Sequence, residues 1–161
     1  MDSASPSPTS LLLPLDALNR WAPIVWLRTD DYAFPLLQTL HLIGIGLFFG
    51  TICAVDLGIL GRLRKLEPHV LAASLLPWTW AGFGLALLTG GLMASTMAAE
   101  LLTNTAFQLK MAVLLLAGCN AGLLHARGPI DGSNAITRWQ ARSSLLLWIA
   151  AIACGRWIAY A

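Results

Sequence analysis

Long apolar stretches separated by short polar turns dominate the chain. From Phe34 to Leu60 the only polar side chains are Gln38, Thr39, His41, Thr51 and Asp56. At about 1.5 Å per residue, a helix over this stretch is longer than the ~30 Å hydrocarbon core of a bilayer. Comparable stretches at 71–95, 107–126 and 143–160 predict three further crossings. Pro77 falls near the start of the second, where a first-turn or kink position suits it.

The segment from Leu11 to Ala33 reads differently. It is apolar but broken by Pro14, Asp16, Arg20, Pro23, Arg28, Asp30 and Asp31, so it holds no uninterrupted span. It fits an amphipathic helix lying in the interface, with Trp21 and Trp26 at headgroup depth, where an indole can keep one edge wet. Residues 1–10, MDSASPSPTS, have no apolar periodicity and read as a disordered tail; they also lack the basic start of a cleavable export signal.

Small residues recur every fourth position, which places them along one ridge of each helix. The ridges are Gly46, Gly50, Ala54 and Gly58; Gly82, Ala86, Gly90 and Ala94; Gly118 and Gly122; and Ala151, Gly155 and Ala159. In lipid, where the hydrophobic effect does not pull helices together, such ridges let backbones approach and gain van der Waals contact. The predicted fold is therefore all-α, an integral membrane four-helix bundle over residues 34–161.

Composition supports this picture. Of 161 residues, 57% are hydrophobic and 11% charged, against about 45–50% and about 25% in soluble domains. A chain this short cannot bury that excess in one core, so the remainder needs membrane lipid as its partner. The net charge of +2 gives no footing for a nucleic-acid partner; the basic residues instead report topology. Arg62, Arg64 and Lys65 follow the first crossing, and Arg127, Arg138 and Arg142 follow the third. Basic loops stay cytoplasmic, which puts both termini outside, periplasmic in a bacterial inner membrane. Cys53, Cys119 and Cys154 lie in apolar runs without CxxC spacing and read as packing residues. No phosphate-binding glycine loop, nucleophile elbow or HExxH is present, so nucleotide and hydrolase chemistry has no support.

Ionisable groups at membrane depth are costly and should face the bundle. His41 and Asp56 on the first crossing, and Lys110 and His125 on the third, are each 15 residues apart. Both pairs thus lie on one helix face, and parallel helices place them at two matched levels. The outer level combines His41 and Lys110 with Arg156, Tyr160, Gln38 and Trp157. One neutral imidazole beside two cations suits an anionic redox cofactor such as haem b, with His41 on iron, Lys110 and Arg156 on propionates, and Gly44 leaving room for the ring. The alternative is that Lys110 and Arg156 snorkel to headgroups while His41 bonds a neighbouring helix. The inner level reads as a structural polar pair, Asp56 with His125 or Arg62. His69, beside Pro68, reads as a solvated loop residue. Met93, Met97 and Met111 keep copper as a second option.

The segments LQTLHLIGIGLFFGTICAVDLGILGRL, LLPWTWAGFGLALLTGGLM, NTAFQLKMAVLLLAGCNAGLLH and SSLLLWIAAIACGRWIAYA together resemble an uncharacterised family of small bacterial inner-membrane proteins, a domain of unknown function. That resemblance covers residues 16 to 161 and implies the four-helix bundle without an activity. An LH dipeptide at His41 and a K-x-x-x-L-L-L stretch at Lys110 are similar to HemJ-type protoporphyrinogen oxidases, which implies haem binding there. The wider aromatic and arginine pattern of that family is missing, so its oxidase activity is not implied. The F-x-x-K run at Phe107 and Lys110, with Asn120 following, resembles CopD-type copper-resistance domains. Three functions stay open: a haem redox or electron-transfer module, copper or small-solute transport, and an accessory subunit without catalysis that joins other membrane subunits or a second copy. Whether the chain is an enzyme stays open with them.

Overall fold

A computed structural model describes residues 21–63, 67–128, 130 and 132–160. The expected tail, the first half of the interfacial helix, and Arg64 and Lys65 lie outside these residues. The helices are α1 (Ala22–Thr29), α2 (Ala33–Ile59), α3 (Pro68–Thr96), the short α4 (Ala98–Thr103), α5 (Thr105–Ala126) and α6 (Ala135–Trp157), with a 3₁₀ turn at Ile158–Tyr160. Three of them, α2, α3 and α5, are long and apolar enough to cross a membrane.

Local chemistry sets the boundaries. Asp30 ends α1 and starts α2: its Oδ1 accepts from the Tyr32 and Ala33 N–H groups, both at 2.9 Å, and its charge suits a helix N-terminus. At the other end of α2, Gly61 takes φ 73°, with Arg62 N–H donating to the Leu57 carbonyl and Gly61 N–H to Gly58, each at 2.9 Å. This is a Schellman stop, which needs a left-handed residue and so a glycine. Asn104 caps α5 by accepting from Phe107 N–H at 3.0 Å. Asn134 caps α6 by accepting from Ile136 N–H at 2.9 Å.

Three expectations are corrected here. With its cap at Asn134, α6 begins at Ala135 instead of 143, so Arg138 and Arg142 belong to its first turns. With Pro68 in its first turn, α3 begins before 71, and His69, exposed as expected, belongs to that turn rather than to a loop; of the two positions expected for Pro77, it takes the one inside the helix.

Packing follows the small residues, though not all the predicted ones. A Cβ on Gly44 would lie 2.8 Å from Ala86 N, and one on Gly82 would lie 2.6 Å from Phe48 N. The α2 and α3 backbones therefore cross in direct contact at Gly44 and Gly82. Gly46, Gly50, Gly118 and Gly122 have nothing within 4 Å of that position. Those four glycines face away from the described helices, whereas Gly58 of the first ridge meets Leu71 and Ala151 of the last is buried; Ala117 on α5 and Ala141 on α6 are buried small positions outside the predicted ridges. Antiparallel pairs α2–α3 and α5–α6 join through α2–α6; among the described residues the α5 backbone stays clear of α2 and α3, and Leu124 of α5 reaches the cluster of Ile59 and Ala141 through its side chain. The side of the bundle between α3 and α5 is open. At the outer end, α1 packs on α2 and α3 through Leu27, Ala33, Leu37, Leu92 and Met93, leaving Trp21 and Trp26 exposed.

Candidate functional site

At the outer level, the ring of His41 lies against α3 where glycine leaves space. A Cβ on Gly90 would sit 2.8 Å from His41 Cε1. Its Nδ1 is 3.0 Å from Thr89 Oγ1. The Thr89 hydroxyl has one proton, and its shortest contact, 2.6 Å, is to the Leu85 carbonyl. It therefore donates to Leu85 and accepts from His41 Nδ1–H. That assignment fixes the neutral tautomer with the lone pair on Nε2. The ring presents its Nδ1–Cε1–Nε2 edge to Gly90 of α3, with Nε2 3.7 Å from where a Cβ would stand.

Lys110 reaches the same level from α5. Its half-buried side chain crosses the Gly155 face of α6, where a Cβ would lie 3.3 Å from Nζ. Its charge acts on the His41 imidazole across the gap between the helix pairs. The two groups are near enough to interact electrostatically, with no hydrogen bond joining them. Other members of the expected cluster are elsewhere. Arg156 is exposed and donates to Tyr160 Oη at 3.0 Å, with its guanidinium over that ring. Trp157 and Gln38 are also exposed. The space attributed to Gly44 is filled by the α3 backbone, because Gly44 is where the two helices cross.

The inner level is a cavity of about 70 Å³ lined from all four long helices. Asp56 of α2, Thr79 of α3, Asn120 and His125 of α5, and Ser144 and Trp148 of α6 contribute its polar wall. Asp56 is 2% exposed, with the Ser144 hydroxyl facing the same cavity. The expected pair does not form: His125 is exposed and its Nδ1 contacts the Ala121 carbonyl at 2.9 Å, while Arg62 lies beyond the end of α2 and is exposed. Both members share the cavity without bonding. The clamp between α5 and α6 at this end is Gln140, whose carbonyl accepts from Asn120 Nδ2 at 3.1 Å and whose Oε1 accepts from Arg127 at 3.0 Å.

A family model described as Family of unknown function (DUF6644) matches residues 30–161. The chain belongs to this family. Neither a curated protein nor a solved structure matches it, so the likenesses to HemJ and CopD proteins rest on the motifs quoted for them alone.

The matched region of the DUF6644 chain contains both polar levels and the barrier between them. Phe48 packs edge-on against Trp148 with centroids 4.6 Å apart and tilts against Phe83 at 5.4 Å. Phe48 stands about halfway along the roughly 22 Å of helix between His41 and Asp56, so an aromatic layer interrupts the polar column. Met93 is packed in the α1–α2–α3 core, and Met97 is exposed. Among the described residues no three His, Cys, Asp or Glu side chains gather as metal ligands. Thr89, Ser144 and Trp148 were missed as site residues. Hydroxyls of the first two bond the carbonyls of their own helix in most membrane helices, so only the facing residue distinguishes them.

Proposed function

We propose that this DUF6644 chain is a haem-b-binding redox or electron-transfer module of the bacterial inner membrane, with His41 as axial ligand and Lys110 as partner of a propionate. The state of the His41 ring is the observation that carries this reading. An imidazole that ligates metal generally donates its other N–H to a fixed acceptor, which sets tautomer and ring orientation. His41 has that acceptor in Thr89, which leaves the Nε2 lone pair for a ligand. Among the described residues the α5 backbone stays clear of the α2–α3 pair, and Lys110 of α5 supplies a cation near enough to act on the imidazole. Haem would supply one-electron chemistry; the chain would hold its iron, neutralise a propionate and exclude water with the apolar helix faces.

In this reading α6 is the fourth crossing. Its charges sit toward its ends, Arg138 and Arg142 at one and Arg156 at the other, where long side chains reach headgroups. The end bearing Arg62, Arg127, Arg138 and Arg142 is cytoplasmic by the excess of basic residues, and both termini are periplasmic.

Titration of the detergent-purified chain with haemin tests the proposal. A Soret band that saturates at one haem per chain, and a Thr89→Val variant with weakened affinity, are the predicted results. Absorbance that rises without saturation, as for haem dissolved in detergent, contradicts the proposal.

A further inference from the structure

The inner cavity contains two polar atoms that the outer site does not explain. Among the described residues, Asp56 Oδ2 and Trp148 Nε1 are the buried side-chain N and O atoms without a hydrogen-bond partner. Both residues line the same cavity and both are more than nine-tenths buried, at 2% and 7% exposure. One atom is an indole donor and the other a carboxyl oxygen. A buried polar group left unpaired is costly, and two such groups facing one space imply a shared guest.

Size and chemistry select that guest. Water needs about 10–15 Å³ of cavity volume on this measure, so a 70 Å³ cavity has room for a few molecules. Water accepts from Trp148 Nε1–H. It also serves Oδ2 whether the carboxyl is ionised and accepts, or neutral and donates, because it can do both. A bare cation meets the carboxylate but leaves the indole N–H unpaired.

Among the described residues no cation bonds the Asp56 carboxyl. On α2 its ionisable neighbour is Cys53. From α5 the cavity receives His125, which bonds its own helix; Arg127 bonds Gln140. The lining from α3 is Ala72, Leu76 and Thr79, and from α6 it is Ser144 and Trp148, none of them basic. A buried carboxyl facing water can both take up and release a proton, since water donates and accepts.

We propose that the cavity is a hydrated proton-binding site, in which Asp56 exchanges a proton with water entering between α3 and α5 at the end that carries Arg62 and Arg127. The proton passes from cavity water to the Asp56 carboxylate, giving a neutral carboxylic acid, and returns by the same route. Phe48 and Trp148 close the cavity on the side facing His41, so exchange occurs from one end only. This inference uses neither haem nor His41.

Infrared difference spectroscopy of the chain in lipid vesicles, wild type minus Asp56→Asn, tests it. The difference shows a protonated-carboxyl stretch at neutral pH that shifts promptly in D₂O. It persists in Trp148→Phe at an altered frequency, because the water bridge loses one partner. Should Asp56→Asn fail to fold, Asp56→Glu replaces it and must move the band. Three results would overturn the proposal: no protonated-carboxyl band at neutral pH; a band that disappears when sodium replaces choline, which marks a cation site; and a band that does not exchange in D₂O, which marks a sealed carboxyl.

Discussion

Replacing Gly82 by alanine probes the closest approach in the bundle. The added Cβ would lie 2.6 Å from Phe48 N and 3.0 Å from both Phe48 Cα and Gly44 O. Carbon contacts rest at about 3.5–4.0 Å, so α2 and α3 must part by about 1 Å over that turn, since backbone atoms cannot rotate aside. Overpacking of this kind costs about 1–3 kcal/mol. Alanine recovers up to about 1 kcal/mol of helix propensity, leaving a net loss of up to about 2 kcal/mol. Gly50→Ala is the control, because nothing lies within 4 Å of its Cβ position and only the propensity gain remains. Unfolding in mixed detergent, followed by far-ultraviolet circular dichroism and tryptophan fluorescence, measures both. The two substitutions should differ in sign. If Gly82→Ala matches wild type, or Gly50→Ala loses as much stability, the α2–α3 crossing is wrongly placed.

Two further perturbations address the caps and the outer level. Asn104→Ala removes the α5 cap and the 3.4 Å bond from Asn104 Nδ2 to the Ile158 carbonyl; a loss of about 1 kcal/mol in the same unfolding assay is predicted. Gly155→Ala meets only the flexible end of Lys110, so stability should change by less than about 0.5 kcal/mol. The displaced ammonium should nevertheless shift the midpoint potential of bound haem, read by spectroelectrochemistry; an unchanged potential would separate Lys110 from the cofactor.

The helices were largely legible because a crossing needs an uninterrupted apolar run, and α2, α3 and α5 have one. The fourth helix was placed too short: Arg138 and Arg142 look like loop residues until the Asn134 cap is recognised. Depth was legible too, since the paired spacings put His41 level with Lys110 and Asp56 level with His125. Rotation was not. Gly44 and Gly46 are both small, and a period-four ridge cannot say which of two adjacent faces meets the partner. Arg156 has the right depth for the outer cluster, yet turns to Tyr160 one turn further along its own chain. That Asp56 and Ser144 face one cavity depends on how α6 is rotated against α2, which no local pattern encodes.

The absorption spectrum of the freshly purified chain and of three single-histidine variants shows whether His41 holds a haem. Wild type should give a Soret band that is retained in His69→Ala and His125→Ala and lost or strongly shifted in His41→Ala. A wild-type chain without a Soret band after expression with ample haem, or a band that His41→Ala leaves unchanged, would contradict haem ligation by His41.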